Sequence, residues 1–532
     1  MTKIFDELLK KRGIGKDFLT PEYRPDFYTN LPDLKPALKR LCQAIHKKEK
    51  ILIYGDYDAD GVTASTVMKE GLELAGAERV EVMLPDRFKD GYGMGPRVVE
   101  RAKQDKVQLV VTVDCGSNNA AIVAELAKKK IDTVVTDHHE ISGELPKAVA
   151  VVNPKRLEEG EPLRDLAGVG VAFMVVYGLM REGLIPEGQE KWLLDLVMIG
   201  TLCDSMEMTR LNRELGFYGM KVLKKTRRVG LAELMKAAGM KEITAETVGF
   251  LIGPRINAAG RMDSPKVAFD LLNTTSKAEA MQLAERLNEL NEERKKAQGA
   301  AVREIGEQGV GNEPVIVTRG DWHEGVLGIV AGRLTEEYKR PAFVLTEVEP
   351  GVLKGSGRSF GEFNLAKALQ ECQKWIVGGG GHSGACGLKV LMVNFEDFKT
   401  EVNEYYKKLK LKDQEQFLRP VADLTVTNLK DLTVELVKEL QQLEPYGPGN
   451  MEPVFCLDQV EVLMAQRMGE DGKHIRMTVK GQTGILKVVA FYAPKEWLAV
   501  QEGQRVNLWV TLTLNEWNGQ CSAEGRIVEL EV

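Results

Sequence analysis

Three short apolar runs in this chain each end in carboxylates, and that repetition narrows the fold more than anything else in it. Ile51–Tyr54 runs into Asp56, Asp58 and Asp60 of a DYDADG stretch, Leu109–Val113 into Asp114 of DCG, and residues 133–136 into Asp137, His138 and His139. Further strand-like runs stand at 80–84 and 149–152, and helical patterns at 62–75, 95–103 and 118–129 alternate with them. This βαβα rhythm predicts a mostly parallel sheet covered on both faces. In such a sheet the carboxyl ends of the strands share one edge, where α/β proteins build their sites.

Three carboxylates within five residues repel one another unless a cation keeps them ionised. The same D-x-D-x-D-G spacing opens a calcium-binding EF-hand loop. That loop requires a glutamate at its twelfth position, which is Val67 here, and a preceding helix rather than a strand, so the EF-hand fails on both counts. The chain has only six histidines, and two of them, His138 and His139, are adjacent at the third acidic strand end. A surface turn accounts equally well for such a pair alone; the two other acidic strand ends favour a site. Asp204, after the apolar run 194–202, is a fourth candidate. Oxygen-rich sites with an imidazole and no thiolate suit Mn²⁺ or Mg²⁺ better than zinc. Two such ions about 3.5–4 Å apart serve the in-line attack of water on a phosphoester. One arrangement shares Asp114, with Asp56 and Asp58 on one ion and Asp60, His138 and Asp204 on the other.

At 532 residues the chain is too long for one hydrophobic core, and two to four domains are expected. A net charge of −6 argues against a protein that coats nucleic acid non-specifically, although the basic stretch 221–228 offers a local phosphate track or a solvated helix face. The N-terminal residues lack the apolar core of a signal peptide, and no run is long and apolar enough to span a membrane. Seven scattered cysteines without a C-x-x-C spacing fit a reducing, cytoplasmic setting. Residues 276–308 read as one charge-rich helix of about 45 Å that bridges two domains. A second α/β unit follows from residue 314, with a helix from Gly325, a strand at 342–345 and glycine-rich loops at 355–361 and 378–387. The last hundred or so residues alternate strands and turns, as a small OB-like β-barrel does.

DYDADG, DCG, DHH and the GTLCD stretch ending at Asp204 resemble the catalytic motifs of the DHH phosphoesterase superfamily. The sequences RINAAGR (255–261), WHEGVLGIV (322–330), GSGRS (355–359), GGGGH (378–382) and PYGPGN (445–450) resemble motifs of its RecJ family. The resemblance spans residues 56–450. It implies an α/β fold of two domains, of DHH and DHHA1 type, joined by the long helix and followed by the OB-like barrel. The expected divisions are an N-terminal extension (1–49), a DHH domain (50–275), the connecting helix (276–308), a DHHA1 domain (309–414) and the barrel (415–532).

The resemblance supports the two-ion division given above. In the wider superfamily a histidine often precedes the first aspartates, at the position of Tyr54 here, so Asp56 takes its place. It casts Asp114, His139 and His323 as catalytic, with Asp137 orienting an imidazole. Arg87, Tyr92, Arg255, Asn257, Arg261, Ser356, Arg358, Gly380 and His382 are the expected substrate contacts. The implied activity is 5′→3′ hydrolysis of single-stranded DNA to 5′-mononucleotides, in repair and recombination, beside a helicase or single-strand-binding protein. Phosphodiesterases of short or cyclic oligonucleotides are the nearest alternative, but they lack the C-terminal barrel. A non-catalytic replication subunit is the other, but it would be expected to have lost metal ligands.

Overall fold

The computed structural model describes residues 1–91, 93–411, 417, 420–469, 472–517 and 519–532. Strands β1 (Ile51–Tyr54), β2 (Val80–Met83), β3 (Leu109–Val113), β4 (Asp132–Thr136) and β5 (Ala150–Val152) form one sheet in the order β2-β1-β3-β4-β5. Every pairing in it is parallel. Because successive side chains point to opposite faces, Ile51 and Ile53 enter one core while Leu52 and Tyr54 enter the other. Helices Ala59–Leu74 and Gly168–Arg181 cover the first face, and Pro96–Gln104 and Ala120–Lys128 the second. Burial on both faces is why β1, β3 and β5 read as continuous apolar runs, whereas the edge strand β2 is half-buried and alternates with Glu81.

The helix Lys277–Gln308, capped by Ser276, belongs to two cores. Leu287 and Leu290 pack with the first unit, whereas Ala301 and Ile305 pack with the second. The second sheet runs β6 (Ile316–Arg319), β7 (Ala342–Glu349), β8 (Val352–Arg358), β10 (Ala385–Leu391) and β9 (Ile376–Gly381), and only β6 and β7 are parallel. The glycine-rich stretches expected as loops are largely strands β8, β9 and β10. Their glycines answer to packing: a Cβ on Gly355 would lie 2.6 Å from Leu345 Cγ, and one on Gly357 2.7 Å from Cys386 Sγ.

Strands β12 (Phe455–Met468), β13 (His474–Lys480), β14 (Ile485–Ala490), β16 (Gln520–Glu531) and β15 (Arg505–Trp517) close into a five-stranded barrel through the β12–β15 pairing; the short β11 (Leu424–Thr425) adds on β12. The barrel core also takes Ile4, Phe5, Leu8 and Leu9 from the N-terminal helix Lys3–Arg12. Arg12 fastens that helix by two 2.7 Å bonds to Asp423. PYGPGN forms the joint between barrel and first unit: Asn450 donates to Leu443 O and Pro445 O, and buried Arg213 donates to the carbonyls of Glu444, Gln442 and Phe18. Among the described residues no helix is long and apolar enough to cross a membrane.

Candidate metal centre

β1, β3 and β4 are adjacent and parallel, so their carboxyl ends stand side by side at the roughly 4.8 Å strand spacing. That alone gathers Asp56, Asp58 and Asp60, Asp114, and Asp137 to His139. Asp58 caps the helix Ala59–Leu74 through Gly61 N–H at 3.0 Å. Buried Asp60 accepts from Gly168 and Val169 N–H, at 2.7 and 2.9 Å, at the electropositive start of the helix Gly168–Arg181. Asp114 holds φ at +60°, uncommon for a residue with a side chain. The helix start approaches it so closely that a Cβ on Gly168 would lie 2.4 Å from Asp114 Oδ1. Asp204 caps the C-terminal end of the helix Leu194–Cys203, which brings a sixth carboxylate from the other side.

The ligand atoms fall into overlapping groups, each within 4.8 Å: Asp56 with Asp58 and Asp114, Asp60 with His138 and Asp204, and Asp114 with His138 and His139. His138 Nε2 lies 3.1 Å from Asp114 Oδ1, 3.5 Å from Asp204 Oδ2 and 3.7 Å from Asp60 Oδ2. His138 Nε2 and Asp114 Oδ1 are both buried without a hydrogen bond. A polar atom left in that state costs about 1–3 kcal/mol, and a cation between them removes the cost. Burial, then the charge of Asp58, pushes Asp56 and Asp60 up to about 7. Burial and Asp60 lift Asp204 to about 8, and burial with four neighbouring carboxylates drives Asp114 well up. Carboxylates this crowded stay ionised together only beside positive charge.

The two histidines divide their tasks. Burial, then His139, pushes His138 down to about 3, which leaves the neutral imidazole that metal ligation needs. Burial also presses on His139, but its 2.8 Å bond to Asp137 Oδ1 outweighs this and raises it to about 9. Burial opposes ionisation of Asp137 in turn, yet His139 and the Ser117, His138 and His139 N–H donors hold it well below the carboxylate range.

Across from these groups, the second unit closes a cavity of about 430 Å³ lined by Tyr57, Arg87, Phe88, Lys354, Ser356 and Gly378 among others. Arg87 stacks on the Tyr57 ring at 4.2 Å, Arg261 donates to Gly325 O, and Arg358 donates to Gly357 O. Among the described residues none of these three arginines makes an ion pair. Burial, then repulsion from Arg87 and Arg358, brings Arg261 down to about 9. Three unpaired, partly desolvated guanidinium groups suit an anion with several oxygens. Gly328 makes room for one of them, since a Cβ there would lie 3.1 Å from Arg358 Nη2. His323 stands at the rim, its ring edge-on to Phe88 at 5.6 Å and its Nδ1 accepting from Gly325 N–H.

Other expected contacts sit differently. Arg255 binds Asn288 Oδ1 and Leu251 O, so it fastens the helix Gly253–Met262 to the long helix. Asn257 accepts from Ala59 N–H at 2.9 Å and so braces the aspartate loop. Gly380 pairs with Gly387 on exposed β9, and His382 is exposed at the turn into β10. Tyr54 donates its hydroxyl to Gly93 O on the second face of the sheet. Tyr92 lies outside the described residues. Sequence reasoning missed Tyr57, Phe88, Lys354, Gly168 and Gly328. Tyr57 sits inside the motif and was open to notice; Gly168 matters only because a distant helix meets Asp114, which nothing local signals.

Three family models match the chain: the DHH family N-terminal domain over residues 50–201, the DHHA1 domain over 312–408, and the RecJ OB domain over 423–529. The single-stranded-DNA-specific exonuclease RecJ of Bacillus subtilis is 35% identical over 98% of this chain and 67% of that protein. The protein of that name from Haemophilus influenzae is 32% identical, over 92% of this chain and 89% of its own length. The crystal structure of RecJ in complex with Mn²⁺ from Thermus thermophilus superposes with a TM-score of 0.85 at 30% identity, covering all of this chain and 76% of that one.

Proposed function

Since the chain belongs to the RecJ family, we propose that it is a single-stranded-DNA-specific exonuclease working with two divalent ions, Mn²⁺ or Mg²⁺. The observation that carries this reading is the pair of ligand groups meeting at Asp114, with its Oδ1 and His138 Nε2 buried and unsatisfied 3.1 Å apart. Asp56, Asp58 and Asp114 would hold one ion, and Asp60, His138 and Asp204, with Asp114, the other. When bound, such a pair neutralises charge on the phosphoryl oxygens and generates the nucleophile at neutral pH.

The chain's own groups do the rest. His139, kept protonated by Asp137, faces the phosphate and offers it a proton. Arg87 and Arg261, with Arg358 and the Ser356 hydroxyl of the second unit, grip phosphate oxygens and align the strand for in-line displacement. His323 at the rim and the glycine backbone of β9, around Gly380 and His382, border its path. Residues 50–275 then carry the chemistry, 309–414 the grip on the strand end, and 415–532 the strand beyond. Degradation starts at the 5′ end and releases 5′-mononucleotides, in the cytoplasm, on single strands supplied by a helicase or kept open by a single-strand-binding protein.

The test is cleavage of linear single strands labelled at the 5′ or the 3′ end, with circles and duplexes as controls, in chelator and with Mn²⁺. Release of the 5′ label first, as mononucleotide and only with the ion, is the expected result. Rapid cutting of circles, or release of the 3′ label first, would overturn it.

A further inference from the structure

The loop between the helices Arg210–Leu223 and Val229–Ala237 is built more rigidly than a solvated turn requires. Thr226 Oγ1 donates to Asp195 Oδ2 at 2.8 Å, and Arg228 donates from Nε to Asp195 Oδ1 and from Nη2 to Glu70 Oε2. Asp195 is buried at 1% exposure, so an interior carboxylate serves to hold this surface loop. With Thr226 and Arg228 turned inward, Lys224, Lys225 and Arg227 are exposed and, among the described residues, make no ion pair. Arg227 lies flat on the Trp192 ring, 3.4 Å from its centroid, beside a cavity of about 240 Å³ that Asn273 and Thr274 also line.

Helix electrostatics do not account for this arrangement. Lys221 and Lys224 sit at the C-terminal end of their helix, where cations are favoured anyway. Arg227 and Arg228 precede the next helix, where the macrodipole opposes them. The aromatic groups continue past the loop: Lys221 lies over Phe217 at 3.9 Å, Tyr218 meets Tyr23, and Lys191 lies over Tyr23. The loop is therefore a fixed cationic surface beside an aromatic ring, while farther along carboxylates join the aromatic groups, Glu190 and Glu214 standing beside Tyr23. It stands away from the catalytic carboxylates, since Glu70 follows Asp60 by ten residues on one helix, about 15 Å along its axis.

We propose that the Lys224–Arg227 loop with Trp192 is a second nucleic-acid contact, which holds the phosphodiester backbone outside the catalytic cleft without reading sequence. The proposal rests on the nuclease reading and adds a surface to it. Backbone contacts of this kind release counterions, and each phosphate neutralised on a single strand steepens the salt dependence by about 0.7 in log K against log salt.

The test compares Lys225→Ala/Arg227→Ala with Lys128→Ala/Lys129→Ala, which removes the same charge from an exposed lysine run without an aromatic platform. Binding of a long single strand is measured across a salt series, beside cleavage of an oligonucleotide short enough to fill only the cleft. The loop variant should lose affinity for the long strand and flatten its salt slope by about 1.4, while the control variant keeps both. Short-oligonucleotide turnover should be unchanged in the two variants. Equal behaviour of the variants in binding, or loss confined to short-oligonucleotide turnover, would overturn the proposal. Wild-type protein that fails to cleave at all would count against the nuclease reading, and the binding series would still test the loop.

Discussion

Replacing Asp114 with asparagine separates the charge of the site from its shape. Asparagine keeps the side-chain outline and tolerates the positive φ of +60° at this position, so backbone strain does not grow. What changes is repulsion within the group. Asp56 and Asp60 are raised from 3.8 to about 7 and Asp204 to about 8. A carboxyl whose folded pKa is raised contributes stability that is complete below the unfolded value near 4 and is lost as pH climbs to the folded value. Each such group costs the metal-free protein about 1.4 kcal/mol per pH unit in that window. Asp114 is one of them, raised well above the ordinary carboxylate range by burial and by the charges of Asp60, Asp58, Asp56 and Asp204. In chelator, the stability of Asp114→Asn relative to wild type should therefore rise as pH climbs above 4, by up to about 1.4 kcal/mol per unit. Saturating Mn²⁺ should shift the balance back toward wild type, because an ion held at 100 times its Kd adds about 2.7 kcal/mol to the protein that binds it. Thermal and urea unfolding of both proteins at pH 5, 6 and 7, with and without Mn²⁺, reads both effects. Parallel stability curves in chelator, or equal gains from Mn²⁺, would refute the reasoning.

Further outcomes follow from single contacts. Gly168→Ala places a Cβ 2.4 Å from Asp114 Oδ1; displacement of that carboxylate should lower turnover about a hundredfold, checked by single-turnover cleavage beside a Mn²⁺ titration. Arg358→Ala removes the guanidinium proposed to grip the phosphate, a charge-assisted contact of about 1.5–3 kcal/mol, so turnover on single strands should fall about ten- to a hundredfold with Mn²⁺ binding intact. Arg358→Lys should restore only part of it, because a point charge does not reproduce the planar fork. Arg213→Ala leaves the carbonyls of Glu444, Gln442 and Phe18 without their donor; stability should fall by about 2–4 kcal/mol, while folded enzyme still cleaves short oligonucleotides at the wild-type rate.

The parallel sheet and the edge that carries the site are written locally. Ile51–Tyr54, Leu109–Val113 and the run before Asp137 are strands because they are β-branched and apolar, and the carboxylates follow at once in the sequence. The alternation of strand and helix then forces those ends onto one edge. What stays hidden is whatever depends on a second element arriving. GSGRS and GGGGH read as loops from their glycines, whereas the strands use Gly355 and Gly357 to admit Leu345 and Cys386. Arg255 is expected at the substrate, and its bonds to Asn288, thirty-three positions away, are not legible in the sequence. The N-terminal helix gives no local sign that Phe5 and Leu8 complete a barrel formed by the far end of the chain. Gly168 and Gly328 likewise acquire meaning only from Asp114 and Arg358, which other strands bring to them.

The central claim, two ions sharing Asp114, is tested most directly by the anomalous scattering of manganese in crystals grown with Mn²⁺. Two peaks are predicted, one among Asp56, Asp58 and Asp114, the other among Asp60, His138, Asp204 and Asp114, about 3.5–4 Å apart. A single peak, or two peaks of which only one touches Asp114, would contradict the account.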